Sequence, residues 1–215
     1  MAVSAHPLLG TNSFAAQIRV ILLGESGTGK TSISNRVATG DYRELVPSTI
    51  GVAYRRFKFT TLSGTTADLA MWDTAGQEKF RSLIPKYFRD ADAALFVFDI
   101  SNARTFEELQ FWLESIPKMH PSAARCSVIV GNKADLESQR AVTEQQAAEL
   151  AARYNLSYAE ASAKSGVGLN LALDLLVSRY ITDWNNSRPA SARASQARIP
   201  VVDPAAAQPQ GSGCC

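Results

Sequence analysis

Cysteine and histidine are scarce in this chain of 215 residues, which has three of the first and two of the second. Cys126 stands alone in an apolar run while Cys214 and Cys215 end the chain, a distribution that suggests no disulfide framework. Cys126 reads as a small buried core residue, and His6 and His120 read as loop residues with no assigned role. No run of about 18 apolar residues occurs, so no helix is expected to span a bilayer. The start, residues 1–11, lacks the basic flank and long apolar stretch of a secretory signal, and a cytosolic protein is expected.

An excess of one charge is lacking too. There are 22 Lys and Arg against 20 Asp and Glu, a net charge of +2. That excess sits in the tail, where Arg188, Arg193 and Arg198 face Asp203 alone, and the body is neutral. Nucleic acid is not an expected partner, because its backbone demands several clustered basic contacts. Three arginines also fall short of a polybasic membrane cluster. An apolar fraction of 46% and a charged fraction of 20% are ordinary for a globular protein. The length suits one folded domain with a tail.

What is present is an alternation of short apolar runs with helical patterns. Strands are expected at 17–23, 52–62, 66–72, 93–99, 127–131 and 156–159, with 52–62 and 66–72 joined as a hairpin through Ser63-Gly64-Thr65. Helices are expected after Lys30 as far as Thr39, where Gly40 stops the first, and at 105–116, 143–154 and 169–184. This order implies an α/β fold with a mostly parallel sheet covered by helices on both faces. In such sheets ligands bind beyond the carboxyl ends of the strands. The organisation expected is a flexible N-terminal extension over 1–16, a folded domain over 17–184, and a tail over 185–215. That tail, rich in Ala, Ser, Pro and Gln, cannot bury enough surface to fold.

The motifs all follow strands. Gly24-Glu25-Ser26-Gly27-Thr28-Gly29-Lys30-Thr31 fits G-x-x-x-x-G-K-[ST] between an expected strand and an expected helix, with Ser32 next on that helix. Such a loop wraps its backbone N–H groups around phosphates at a helix N-terminus. Lys30 is expected to reach the β- and γ-phosphates and the Thr31 hydroxyl to ligate Mg²⁺. By itself the loop does not choose between ATP and GTP. In Trp72-Asp73-Thr74-Ala75-Gly76-Gln77, Asp73 can hold Mg²⁺, the Gly76 N–H can approach a γ-phosphate, and Gln77 can orient the attacking water. Asn132-Lys133-Ala134-Asp135 and Ser162-Ala163-Lys164 follow two later strands. A carboxylate at Asp135 accepts from guanine N1 and the exocyclic amine, a pattern adenine does not offer.

With these four motifs in order, residues 17–184 resemble the Ras-like small GTPases and, within them, the Rab family. The Rab resemblance is carried by Ser48-Thr49-Ile50-Gly51-Val52, Trp72-Asp73-Thr74-Ala75-Gly76-Gln77-Glu78-Lys79-Phe80-Arg81-Ser82, Tyr87-Phe88-Arg89-Asp90-Ala91, Phe98-Asp99-Ile100 and the terminal Cys214-Cys215. It implies the P-loop NTPase three-layer fold, with a six-stranded sheet that has one antiparallel strand. It implies a GTP/GDP and Mg²⁺ site in which Thr31, Thr49 and Asp73 hold the metal. The same resemblance implies that Tyr42 packs on guanine and that Lys30, Thr49, Gly76 and Gln77 serve hydrolysis. It assigns effector contact to Ile50, Tyr54, Trp72 and Tyr87, and geranylgeranylation to Cys214 and Cys215. The chain departs from the family at Ala53-Tyr54, where Asp-Phe is usual, which bears on partner choice.

The implied activity is slow GTP hydrolysis stimulated by a GAP, in a monomeric switch that recruits effectors during vesicle transport. Further implied partners are an exchange factor, a Rab escort protein and a GDI-type chaperone. The implied location is the cytoplasmic face of an endomembrane, Golgi or endosomal by the similarity of 80–87 to Golgi-type Rabs, with a soluble cytosolic pool. The competing readings are a GTP-loaded scaffold with negligible hydrolysis and a P-loop kinase or ATPase, in which Asn132-Lys133-Ala134-Asp135 has no purpose.

Overall fold

The computed structural model describes residues 13–44, 47, 49, 51–74, 90–119 and 121–187. Six strands form one sheet in the order β2-β3-β1-β4-β5-β6. These are β1 Ser13–Leu23, β2 Val52–Thr60, β3 Thr66–Thr74, β4 Ala93–Asp99, β5 Val128–Asn132 and β6 Ser157–Glu160. Only β2 and β3 pair antiparallel; β3, β1, β4, β5 and β6 run parallel. The expected fold class is the one observed.

Among the described residues the helices are α1 Lys30–Thr39, α2 Ala103–Glu107, α3 Leu109–Met119, α4 Pro121–Arg125, α5 Glu144–Arg153 and α6 Leu169–Ser187, with a 3₁₀ helix at Ala134–Gln139. Two of them begin at a side-chain cap. Asn102 accepts from the Arg104 N–H to cap α2, and Thr143 with Gln146 forms a reciprocal capping box at α5. Along α6, Leu169, Ala172, Leu173, Leu176, Val177 and Tyr180 recur at helical spacing and are buried.

Every residue of β4 and β5 is buried, as required of strands with helices on both faces. Alternate residues feed two cores. Val20, Leu22, Leu95, Val97, Val128 and Val130 join the cluster containing Ile33 of α1 and Leu173 and Leu176 of α6. Ile21, Leu23, Phe96, Phe98 and Ile129 join the cluster containing Leu109, Trp112 and Leu113 of α3 and Ala147 and Leu150 of α5. Cys126 lies in the first core, where burial pushes its thiol up to about 11. The edge strand β2 instead alternates, turning Tyr54, Arg56, Lys58 and Thr60 to solvent.

The structure departs from the sequence reading by one or two residues at the ends of β2, β3, β5 and β6, and by more elsewhere. β1 begins at Ser13, ahead of the apolar run at 17–23. The expected helix at 105–116 is two helices broken at Glu108, whose N–H bonds back to Arg104 and Phe106. The one-turn α4 and the 3₁₀ helix carry too few residues for a periodic signal. The last helix runs three residues further, to Ser187. Among the described residues no helix is long and apolar enough to cross a membrane.

Because Phe96 is 1% exposed, Phe96→Ala removes a side chain that its close-packed neighbours cannot replace. It is expected to cost about 3–5 kcal/mol in urea unfolding, against about 1 kcal/mol for loss of the cap in Thr143→Ala.

Candidate functional site

The strand order reverses at β1, which lies between β3 and β4, and the crevice at such a switch point is where parallel sheets bind ligands. The loop that leaves β1 there is compact because two glycines allow it. Gly24 has φ +141, and a Cβ on it would strike the Val97 carbonyl oxygen. Gly29 has φ +90, and a Cβ there would strike the Asn132 amide. No other residue tolerates both conditions.

Lys30 opens α1 and folds back across the loop. Its Nζ donates to the carbonyls of Gly24 at 2.9 Å and Glu25 at 2.8 Å. The side chain is nearly fully buried, and burial lowers its pKa to about 8 against the opposing charges of Asp73 and Glu25. Asp73, one residue before the end of β3, stands opposite Leu22. It is fully buried, and neither carboxylate oxygen has a hydrogen-bond partner. Burial raises its pKa, opposed by the neighbouring Thr31 hydroxyl and by the charges of Lys30 and Arg55. The hydroxyls of Thr31 and Thr49 lie 2.7 Å apart and share one hydrogen bond.

Unpartnered carboxylate oxygens beside two hydroxyls make a hard, all-oxygen donor set. That suits Mg²⁺, which is held by one or two carboxylates with other hard oxygens and fills its octahedron from phosphates and water. Among the described residues no group of three or more His, Cys, Asp and Glu could hold a metal. The residues therefore fit a metal that arrives with a phosphate.

A cavity of about 400 Å³ runs from this loop to the ends of β5 and β6. Ser26, Gly27, Gly29, Lys30, Thr31 and Ser32 form one end of it, and Asn132, Lys133, Asp135, Ala163 and Lys164 the other. Tyr42 and Thr49 close the side. Gly24, Glu25 and Thr28 shape the loop from behind, with the Thr28 hydroxyl donating to the Glu25 carbonyl at 3.0 Å. Glu44, Pro47, Thr74 and Leu136 also line the cavity. No motif signalled Glu44, Pro47 or Leu136.

Asn132 binds the two ends together. Its Nδ2 donates to the Thr28 carbonyl at 2.8 Å, and its Oδ1 accepts from the Ala163 N–H at 3.1 Å. The Ser162 hydroxyl donates to Asp135 Oδ1 and accepts from the Ser165 N–H. Ser162 thus orients the carboxylate without lining the cavity. Behind both, Arg140 grips Glu160 through two bonds of 2.8 and 2.7 Å and also bonds Glu137, while the Tyr158 hydroxyl donates to Glu160 at 2.7 Å. These residues, which carried no motif signal, join the segment bearing Asp135 to the strand that leads into Ser162.

Two expected partner-contact residues are described and lie outside the cavity lining. Tyr54 and Trp72 stand opposite each other across β2 and β3. Tyr54 is 56% exposed, and Trp72 packs partly on the second core. Ile50, Gly76, Gln77, Tyr87, Cys214 and Cys215 lie outside the described residues.

This geometry can be set beside known proteins. The model of the Ras family matches residues 19–182. The chain belongs to the Ras family. Among its relatives are the Ras-related protein Rab-1 of Theileria parva, 36% identical over 177 residues and 80% of each chain. The Ras-related protein Rab-27A of Rattus norvegicus is 36% identical over 170 residues, 74% of this chain and 76% of the relative. The Ras-related protein Rab-26 of Bos taurus is 33% identical over 207 residues, 96% of this chain and 78% of the relative. The protein is thus a Rab-family small GTPase, with no subtype assigned.

In this Rab-family chain the Arg140 pair holds the Glu160 carboxyl below the usual carboxylate range, with the Tyr158 hydroxyl adding to the effect against burial. A depressed folded-state pKa gives stability that is present above the unfolded value of about 4.3 and lost as pH falls through the folded value. Thermal unfolding between pH 7 and pH 3 is expected to show a smaller acid-side loss for Glu160→Gln than for wild type, from a lower starting melting temperature. Equal pH slopes count against the pairing.

Proposed function

We propose that this protein is a guanine-nucleotide switch that binds GTP or GDP with Mg²⁺ in the cavity between the glycine loop and the Asn132 to Asp135 segment. The observation that carries the reading is a pair of buried charged groups, Lys30 in the lining at one end of that cavity and Asp73 near it. Lys30 is hydrogen-bonded to carbonyl oxygens and neither Asp73 oxygen accepts a hydrogen bond, so the two feel each other's charge without completing each other's hydrogen bonds. A buried charged group short of partners is costly unless a ligand completes it. A polyphosphate with its divalent cation supplies oxygen acceptors for the ammonium and a cation for the carboxylate.

In this reading the loop N–H groups and Lys30 hold the β- and γ-phosphates, while Thr31, Thr49 and Asp73 hold the metal. Bound Mg²⁺ neutralises charge that develops on the phosphates. Tyr42 covers the base, and Asp135, held by Ser162, accepts from guanine. Asn132, Lys133, Ala163 and Lys164 complete that end. Gly76 and Gln77 act on the γ-phosphate and the attacking water, so Thr49 and the Gly76 segment report which nucleotide is bound.

Intrinsic hydrolysis is slow and a GAP accelerates it by about 10³–10⁵-fold. The GTP form recruits effectors through Ile50, Tyr54, Trp72 and Tyr87 during vesicle transport. An exchange factor resets the cycle. An escort protein and a GDI-type chaperone handle a monomer prenylated at Cys214 and Cys215. Two prenyl groups give stable anchoring where one is marginal, and the location proposed is the cytoplasmic face of a Golgi or endosomal membrane.

Competition binding is expected to show GTP preferred over ATP by about 10⁴-fold, the ratio for a site built around a specific hydrogen-bonding edge. Comparable affinities would remove Asp135 from its role. Lys30 supplies a second expectation. Because its pKa is lowered in the free protein, the ammonium is lost as pH rises through about 8. A neighbouring phosphate raises that pKa again. GDP binding at about pH 8.5 should therefore take up protons, seen as an enthalpy that varies with the ionisation enthalpy of the buffer, and affinity should fall as pH rises further.

A further inference from the structure

The end of β4 contains a buried carboxylate that none of the nucleotide-site assignments uses. Asp99 closes β4 directly opposite Asn132 at the end of β5, and the Ile100 N–H bonds the Asn132 carbonyl at 3.1 Å. That register sets Lys133, the next residue of the β5 segment, over the end of β4. Lys133 has φ +66, a left-handed backbone that a side-chain-bearing residue adopts only when its surroundings hold it there.

The Lys133 Nζ lies 2.6 Å from Asp99 Oδ2, with the lysine side chain 34% exposed and the carboxylate 7%. The other oxygen, Oδ1, accepts from the Ser101 N–H at 2.9 Å and from the Ser101 hydroxyl at 2.6 Å. Asp99 is itself fixed from the backbone, its N–H donating to the Thr105 hydroxyl at 3.0 Å. Both carboxylate oxygens are therefore committed, and one of them holds a lysine that lines the cavity while Asp99 does not line it.

We propose that Asp99 is a positioning residue for nucleotide retention: it holds the Lys133 ammonium at the back of the site, so that the lysine stem stands as a fixed wall at the nucleoside end of the cavity. This rests on the proposed nucleotide reading of the cavity. A lysine side chain is a flexible four-carbon stem, and restraining it before the ligand arrives lowers the ordering cost of binding. The ion pair also neutralises a cation that would otherwise be free to swing towards the phosphates.

The test is release of a fluorescent GDP analogue from the full chain. Asp99→Asn keeps an oxygen for Ser101 and removes the charge that holds Lys133. Release is expected to accelerate about tenfold, as for the loss of one charge-assisted hydrogen bond. The effect should act through the lysine, so adding Asp99→Asn to Lys133→Met should change release less than about twofold, the signature of coupled residues in a double-mutant cycle. Ser101→Ala, which leaves the pair but loosens its carboxylate, should accelerate release by a smaller factor and serves if Asp99→Asn does not fold.

Wild-type release rates in Asp99→Asn, or in Ser101→Ala where that variant stands in, would overturn the proposal. So would an Asp99 effect undiminished in the Lys133→Met background, which marks a structural role. Failure of the wild type to retain the analogue overturns the nucleotide reading and this proposal together. Normal retention with insensitive variants overturns the positioning role alone.

Discussion

One side chain ties the site together. The Asn132 amide spends its donor on the glycine loop and its acceptor on the loop after β6, so three segments far apart in sequence share a single fixed point. This is possible only because β1, β4, β5 and β6 run parallel and end at one edge of the sheet. The glycine loop, the Asn132 to Asp135 segment and the Ser162 loop each begin where a strand ends. The close approach of Gly29 to the same amide shows how little space separates the loops at that point.

The two ends of the cavity are stabilised in opposite ways. At the Asp135 end the protein completes its own polar groups: Ser162 binds Asp135, Arg140 binds Glu160, and Asp99 binds Lys133. At the Lys30 end it does so only in part: the buried ammonium bonds two carbonyls yet keeps a lowered pKa, and the Asp73 carboxylate accepts no hydrogen bond. Buried polar networks rigidify when satisfied and are costly when not. On the proposed function, the first end is preformed for recognition, whereas the second gains stability from the phosphates and metal it holds.

The parts legible in sequence were those whose chemistry requires a fixed local pattern. Gly24 and Gly29 are dictated by φ and by close approach, and Lys30, Asp73 and Asp135 stand in motifs of fixed spacing at or just beyond the ends of strands. The continuous burial of β4 and β5 made them unmistakable as central strands. What escaped depends on which residues of distant strands lie side by side. Asp99 reads as the last residue of an apolar strand until register sets it against Asn132. Arg140 and Glu160 are ordinary charged residues until β6 brings them together. The break at Glu108 is a shift of one hydrogen-bonding pattern into another, for which apolar periodicity carries no mark.

The β2–β3 hairpin is fastened at its tip, where the Leu62 N–H bonds the Asp174 carboxylate of α6 at 2.6 Å. At its other end β2 leads back to Gly51 and the Thr49 segment. Strand side chains alternate faces, so a slip of one residue in β2 would bury Arg56 and Lys58 and expel Phe57 and Phe59. A hairpin pinned at the tip and locked by that alternation behaves as a stiff ruler. A displacement at Thr49 is therefore not taken up by sliding of β2 along the sheet, and Tyr54 keeps its register opposite Trp72.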